Sequence, residues 1–243
     1  MTNNLKPALS PDLKARVLAA AKKTPSPTRD RARIRQLAML IFAFAIASVP
    51  TLVYCKILYP EFISLNLTAK DVLQGNTREL PLPLLAWTTA GSFLVAMTVV
   101  WAALSRGRSM LGRNSTVLAI VIVATPVVLF CWRYGWALDY DWAFPWYGRS
   151  SWGKKCLEVS LATALAPLAA FLTLRRGSDP NHPAATGAAM GVSAGACSWA
   201  LVDLTCPVGA PLHLLVGHVL PILILGVIGA ILGKWLLAVR EGH

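Results

Sequence analysis

Charge is sparse in this sequence. Asp, Glu, Lys and Arg make up 14% of its 243 residues, where a soluble domain usually carries about 25%. Acids are scarcer than bases, 11 against 23, and there are only four histidines and five cysteines. Neither C-x-x-C nor H-x-x-x-H occurs, so no compact metal motif is present. No alternating strands of about ten residues appear, which argues against a membrane β-barrel. The long apolar runs hold no ionisable residue at their centres. Ion and proton pathways need such costly groups, and no inverted repeat with broken helices of the transporter kind is visible. No nucleophile and base share any special context.

What is present is apolar: 56% of the residues are hydrophobic. A bilayer core asks for about 20 apolar residues per helix. Six stretches qualify, at 37–58, 82–104, 115–138, 156–175, 184–204 and 212–237. Backbone groups in lipid must be satisfied within the segment, so these stretches read as helices. The expected fold is an all-α polytopic membrane protein with six transmembrane helices. Its expected parts are a cytoplasmic partner-binding tail, 1–36, and a transmembrane sensor domain, 37–243. The first apolar run follows 35 residues with nine Lys and Arg, and no small-residue cleavage site stands out after it. It therefore reads as a retained anchor rather than a signal peptide.

Orientation follows from the bases. With the tail inside, 16 Lys and Arg fall on the inner side and seven on the outer. The positive-inside rule then places both termini in the cytoplasm. The net charge of +12 is explained by topology, and no recognition motif supports direct nucleic-acid binding. The basic tail suits an anionic bilayer surface or an acidic protein.

The tail has its own pattern. Ser10-Pro11 is a helix start. Leu13, Val17, Leu18 and Ala21 follow on one face, with Lys14, Arg16, Lys22 and Lys23 elsewhere, and Pro25 and Pro27 end the run. A 13-residue amphipathic helix is marginal alone in water. Two readings stay open, a membrane-surface leader and a helix that docks in a partner's groove. On the second, Leu13, Val17 and Leu18 are the apolar anchors, with Lys14 and Arg16 at the rim.

Segment 132–152 holds nine aromatic residues, which reads as an interfacial belt. Gly187, Gly191 and Gly195, and separately Gly229 and Gly233, are spaced for close helix approach. Pro50, Pro126, Pro167 and Pro221 lie within spans.

Topology brings Cys55, Cys131, Cys156 and Cys206, with His213 and His218, to the outer ends of the helices. Only Cys197 lies deeper. Three chemistries fit: an oxidised pair, a site for zinc or another soft metal such as cadmium or copper(I), and a dithiol–disulfide switch. An ordinary packing role for buried cysteines fits as well. His213 and His218 are five residues apart, about 140° around an α-helix, so both cannot face one ion on a regular helix. Nearby, Glu158 is expected to pair with Arg133.

The stretch from Trp152 reads W-G-K-K-C-L, then A-P-L-A-A-F-L-T-L-R-R-G, then L-T-C-P-V-G-A-P-L-H-L-L-V-G-H-V-L-P, and ends G-A-I-L-G-K-W. This resembles the six-span inner-membrane anti-sigma factors of the NrsF type. The tail phrase R-V-L-A-A-A-K-K-T-P-S-P-T-R resembles the leaders of related membrane anti-sigma proteins, CarR-like in organisation. The resemblance implies a tail that sequesters an extracytoplasmic-function sigma factor in the cytoplasm and releases it on an outer-face signal. It places the family's two signal-linked cysteines at Cys156, before Leu157, and Cys206, before Pro207. His213 and His218 follow the second motif. Val208-Gly209 stands where members often carry an acidic pair. It further implies a multi-pass protein of the bacterial inner membrane that regulates transcription and is not an enzyme. A membrane-embedded oxidoreductase or metal-handling enzyme using the same cluster is the alternative, and a transporter or structural protein is a third.

Overall fold

The computed structural model describes residues 29–53, 82–104, 114–137, 151–176, 180–206 and 210–237. All regular structure in these residues is helical. In chain order the helices are α1 (Arg29–Val53), α2 (Leu82–Leu104), α3 (Ser115–Ala137), α4 (Ser151–Arg175), α5 (Pro183–Asp203) and α6 (Pro211–Leu236). The chain divides into two compact units, Met1–Met39 and Leu40–His243. The described part of the first is the opening of α1. The tail residues Leu13, Lys14, Arg16, Val17 and Leu18 lie outside the described residues.

Five helices, α2 to α6, are long and apolar enough to cross a bilayer. In α1 the apolar helix is shorter, Ala38–Val49. Its 12 residues span about 18 Å, against a hydrocarbon core of about 30 Å. Residues 54–58, the rest of the span expected over 37–58, lie outside the described residues.

The helix starts follow local chemistry. Asn114 caps α3: its Oδ1 accepts the Thr116 N–H at 3.1 Å, satisfying a donor the helix cannot. Pro183 and Pro211 open α5 and α6, where a missing N–H costs nothing. Hydroxyls inside the spans bond back to their own helix, as Ser92 does to the Thr88 carbonyl at 3.0 Å and Ser193 to the Ala189 carbonyl at 2.6 Å. That removes the need for water at depth.

Helix α5 is the centre of the bundle. Its apolar window is 89% buried, far more than any other span, and it packs on α6, α2, α4 and α3. The small-residue spacing accounts for this. A methyl group on Gly187 would overlap the Gly229 carbonyl, and one on Gly191 would overlap the Leu225 carbonyl. Backbones of α5 and α6 therefore touch directly, as small-xxx-small packing allows. Leu129, Phe171, Met190, Trp199, Ile222 and Leu225 fill the remaining core.

Apolar rows line the outer faces. Leu94, Met97 and Trp101 on α2, and Ile120, Val123 and Val127 on α3, are exposed at helical spacing. In water such rows would be association patches; against lipid they are solvated. The second unit is also tied by polar contacts between helices: Thr51 and Thr163 hydroxyls at 2.9 Å, and the Ser198 hydroxyl on the Ser160 carbonyl at 2.7 Å. Arg175, at the end of α4, donates to the Ala103 carbonyl at 3.3 Å, where α2 runs out of partners.

Candidate functional site

One end of the bundle gathers the start of α4, the end of α5 and the start of α6. Cys156 lies one turn into α4. Cys206 follows the end of α5, its N–H donating to the Val202 carbonyl at 3.0 Å. His213 lies in the first turn of α6. His218 lies in a π turn, Leu215–Val219, that interrupts α6.

That π turn decides how the histidines face. It holds one extra residue per turn, so residues i and i+5 come to one side. The regular-helix objection to a shared site therefore does not apply here. The two imidazole centroids are 5.5 Å apart. Pro221 explains why the turn sits there. It has no N–H to offer the Gly217 carbonyl four residues back, and that carbonyl accepts the Ser160 hydroxyl from α4 at 3.3 Å instead. Gly217 also makes room for α4: a methyl there would stand 2.9 Å from the Cys156 Cβ. Trp199 of α5 closes the floor, its ring centroid 5.1 Å from that of His218.

Cys156, Cys206, His213 and His218 are all buried, and one ligand atom from each lies within 4.8 Å of the others. The two sulfurs are 3.8 Å apart, and the Cys206 Sγ is 3.2 Å from the His213 Nε2. Both cysteines are free thiols. The Cys206 thiol is held well below the ordinary thiol range. The Cys156 thiol that donates to it is the largest cause; burial opposes the effect and the neighbouring His213 adds to it. His213 Nδ1 and both ring nitrogens of His218 are buried without a hydrogen bond of good geometry among the described residues, although the His218 ring lies close enough to Cys206 to help hold its thiol low. One nitrogen from each ring beside the two sulfurs forms a soft donor set.

Not every expected residue comes to this site. Cys131 lies on the exposed side of α3 and Cys197 is buried within α5, while Cys55 lies outside the described residues. The pairing expected of Arg133 is corrected. Glu158 is exposed on α4, whereas Arg133 is buried and its Nε lies 3.1 Å from the Asp203 Oδ1. This is an ion contact outside hydrogen-bond geometry. The other nitrogens are better aimed: Nη1 donates to the Thr88 hydroxyl at 2.6 Å and Nη2 to the Cys206 carbonyl at 2.8 Å. The second Asp203 oxygen accepts from Thr89 at 3.4 Å and Ser92 at 3.3 Å. Sequence reading missed this network. The available signal was a lone Arg and a lone Asp, each at the same end of an apolar run.

Comparison with known proteins decides the family. The family described as "Negative regulator of sigma F", NrsF, matches residues 67–238. The chain belongs to this family. All four residues of the cysteine–histidine cluster fall inside the matched region, as do Arg133 and Asp203. The chain is also 30% identical over 126 residues to the anti-sigma-F factor NrsF of Caulobacter vibrioides (strain NA1000 / CB15N). That match covers 52% of this chain and 58% of the relative, so the chain spans a little over half the length of that protein. No solved structure matches the chain.

Proposed function

We propose that the chain is a multi-pass anti-sigma factor of the bacterial inner membrane, with six spans and both termini inside. Its cytoplasmic tail, residues 1–36, sequesters an extracytoplasmic-function sigma factor, and the cysteine–histidine cluster at the outer face takes up the releasing signal. The role is regulatory and not catalytic. Membership of the NrsF family carries the anti-sigma part of this reading, joined to the anti-sigma name of the Caulobacter relative.

The signal is a soft metal ion held by Cys156, Cys206, His213 and His218. Tetrahedral zinc with ordinary bond lengths sets its ligand atoms about 3.8 Å apart for two sulfurs and about 3.5 Å for sulfur and nitrogen. The sulfurs here are 3.8 Å apart and the Cys206–His213 contact is 3.2 Å. A disulfide would use only the sulfurs. An ion would also give one of the two orphaned His218 nitrogens a partner, and that observation favours metal over a purely redox signal. Bound, the ion would draw α4, the end of α5 and the start of α6 onto one centre. A hundredfold loss of sigma affinity needs about 2.7 kcal/mol of coupling, well within what a metal–thiolate site supplies.

The test is co-purification of the tagged full-length chain from membranes with the host's sigma factors. One sigma factor is expected to come down and to be lost on Leu13→Asp with Val17→Asp. Added Cd2+ should release it from the parent and not from Cys156→Ser. Recovery of no sigma factor would overturn the anti-sigma reading. Release by a thiol oxidant but not by Cd2+ would replace the metal signal with a redox one.

A further inference from the structure

A second polar structure lies at this end of the bundle, beside the cysteine–histidine cluster. Arg133 and Asp203 are among the most buried residues of the chain. Two charges removed from water are costly, and well-packed apolar side chains of similar volume are often at least as stable. A buried ion pair is therefore a poor stabilising device. In a membrane protein an ionisable pair facing the bundle interior marks function by default.

The geometry says which function. Cys206 has two handles. Its sulfur touches Cys156 and His213, and its carbonyl accepts Arg133 Nη2. The guanidinium is a rigid planar fork, so its nitrogens cannot move independently. When the Cys206 carbonyl shifts, the plate follows, and with it the Nη1 bond to Thr88 on α2. Asp203 braces the same plate and is itself held by Thr89 and Ser92 on α2. The Thr88 carbonyl in turn accepts the indole N–H of Trp132 on α3 at 3.1 Å. Thr88, Thr89, Ser92, Arg133 and Asp203 are all buried, so a broken bond among them is costly.

We propose that Arg133 and Asp203 are positioning residues that couple occupancy of the cysteine–histidine cluster to helices α2 and α3. This rests on the reading of the cluster as a soft-metal site. Neither residue touches the ion. They transmit the displacement of Cys206 to two helices that contribute no ligand.

Purified metal-free full-length protein, titrated with Cd2+, tests this with two signals. Thiolate-to-cadmium absorbance reports filling of the cluster. The part of the tryptophan emission change that Trp132→Phe abolishes reports α2 and α3. In the parent both signals should saturate together. In Arg133→Met with Asp203→Leu, which removes both charges at once, the Trp132 signal should fall at least tenfold. Cadmium affinity should stay within threefold of the parent or tighten, because binding no longer does work on the bundle. Arg133→Lys keeps the charge and loses the fork, so it should weaken the Trp132 signal without the double change. A Trp132 signal that survives in both variants overturns the proposal. So does a parent that binds Cd2+ with no Trp132 response, or a loss of Cd2+ binding in step with that response, since the pair would then only support the site. A parent with no cadmium absorbance at all would instead overturn the metal-site reading beneath it.

Discussion

Gly191→Ala adds one methyl group where α5 and α6 meet. Its new carbon would overlap the Leu225 carbonyl oxygen and stand 2.6 Å from the Leu225 carbonyl carbon and 3.0 Å from the Gly226 nitrogen. Ordinary carbon contacts are about 3.5–4.0 Å, so the helices must part by roughly 1 Å. The obstacle is backbone and cannot rotate away. Overpacking of this kind costs about 1–3 kcal/mol, offset by about 1 kcal/mol of better helix propensity. A net loss of up to about 2 kcal/mol is expected. Because Cys206 directly follows α5 and α6 carries both histidines, Cd2+ affinity should also fall on the order of tenfold, as for other loosened supporting shells. Gly135→Ala is the control: a methyl there meets nothing within 4 Å, so the same chemical change should be neutral or stabilise by up to about 1 kcal/mol. Unfolding in mixed detergent, followed by helical circular dichroism, measures both. Equal effects at the two glycines would refute direct backbone contact between α5 and α6.

Three further outcomes are expected. Pro221→Ala restores an N–H for the Gly217 carbonyl, so α6 should lose its π turn, His218 should rotate away from His213, and Cd2+ affinity should drop at least tenfold in absorbance titration. Ser160→Ala leaves the Gly217 carbonyl without its hydroxyl donor and should cost about 1–3 kcal/mol as a buried unsatisfied group, read in the same unfolding assay. Thiolate absorbance of the metal-free protein should persist as pH falls below the ordinary thiol range, because the Cys206 thiol is held low. Cys156→Ala removes the largest cause and should move that titration upward; an unmoved curve would show that the two sulfurs do not interact.

Helix positions were legible because lipid leaves a hydrophobic run few alternatives. The expected 82–104 coincides with α2, and 115–138 differs from α3 by one residue at its end. The fourth helix begins five residues before the expected 156, at Ser151, since Lys154 and Lys155 end an apolar run without ending a helix. The glycine spacing announced close helix approach on both α5 and α6, and the structure pairs those two faces with each other. Two things were hidden. The sequence allowed His213 and His218 to share a site only if α6 departs from 3.6 residues per turn, with Pro221 near enough to matter; it could not say that the departure is a π turn at Leu215–Val219, because Ser160 of another helix takes up the Gly217 carbonyl. The Arg133–Asp203 pair was hidden because its partners are 70 residues apart, and no sequence period links a residue on α3 to the end of α5.

The burial of α5 bears on how the chain is made. Of the five helices long and apolar enough to cross a bilayer it has the lowest hydropathy and the greatest burial, and glycine, alanine and serine dominate it. Alone in a bilayer it would offer lipid little to hold. Its complementary surface, the Gly229–Gly233 face of α6, is synthesised directly after it. Stable insertion of α5 is therefore expected to wait for α6, the two entering as a hairpin. A chain cut after Asp203 should leave the nascent membrane protein with its central helix stranded outside the bilayer, a failure of biogenesis that no assay of the finished site would reveal.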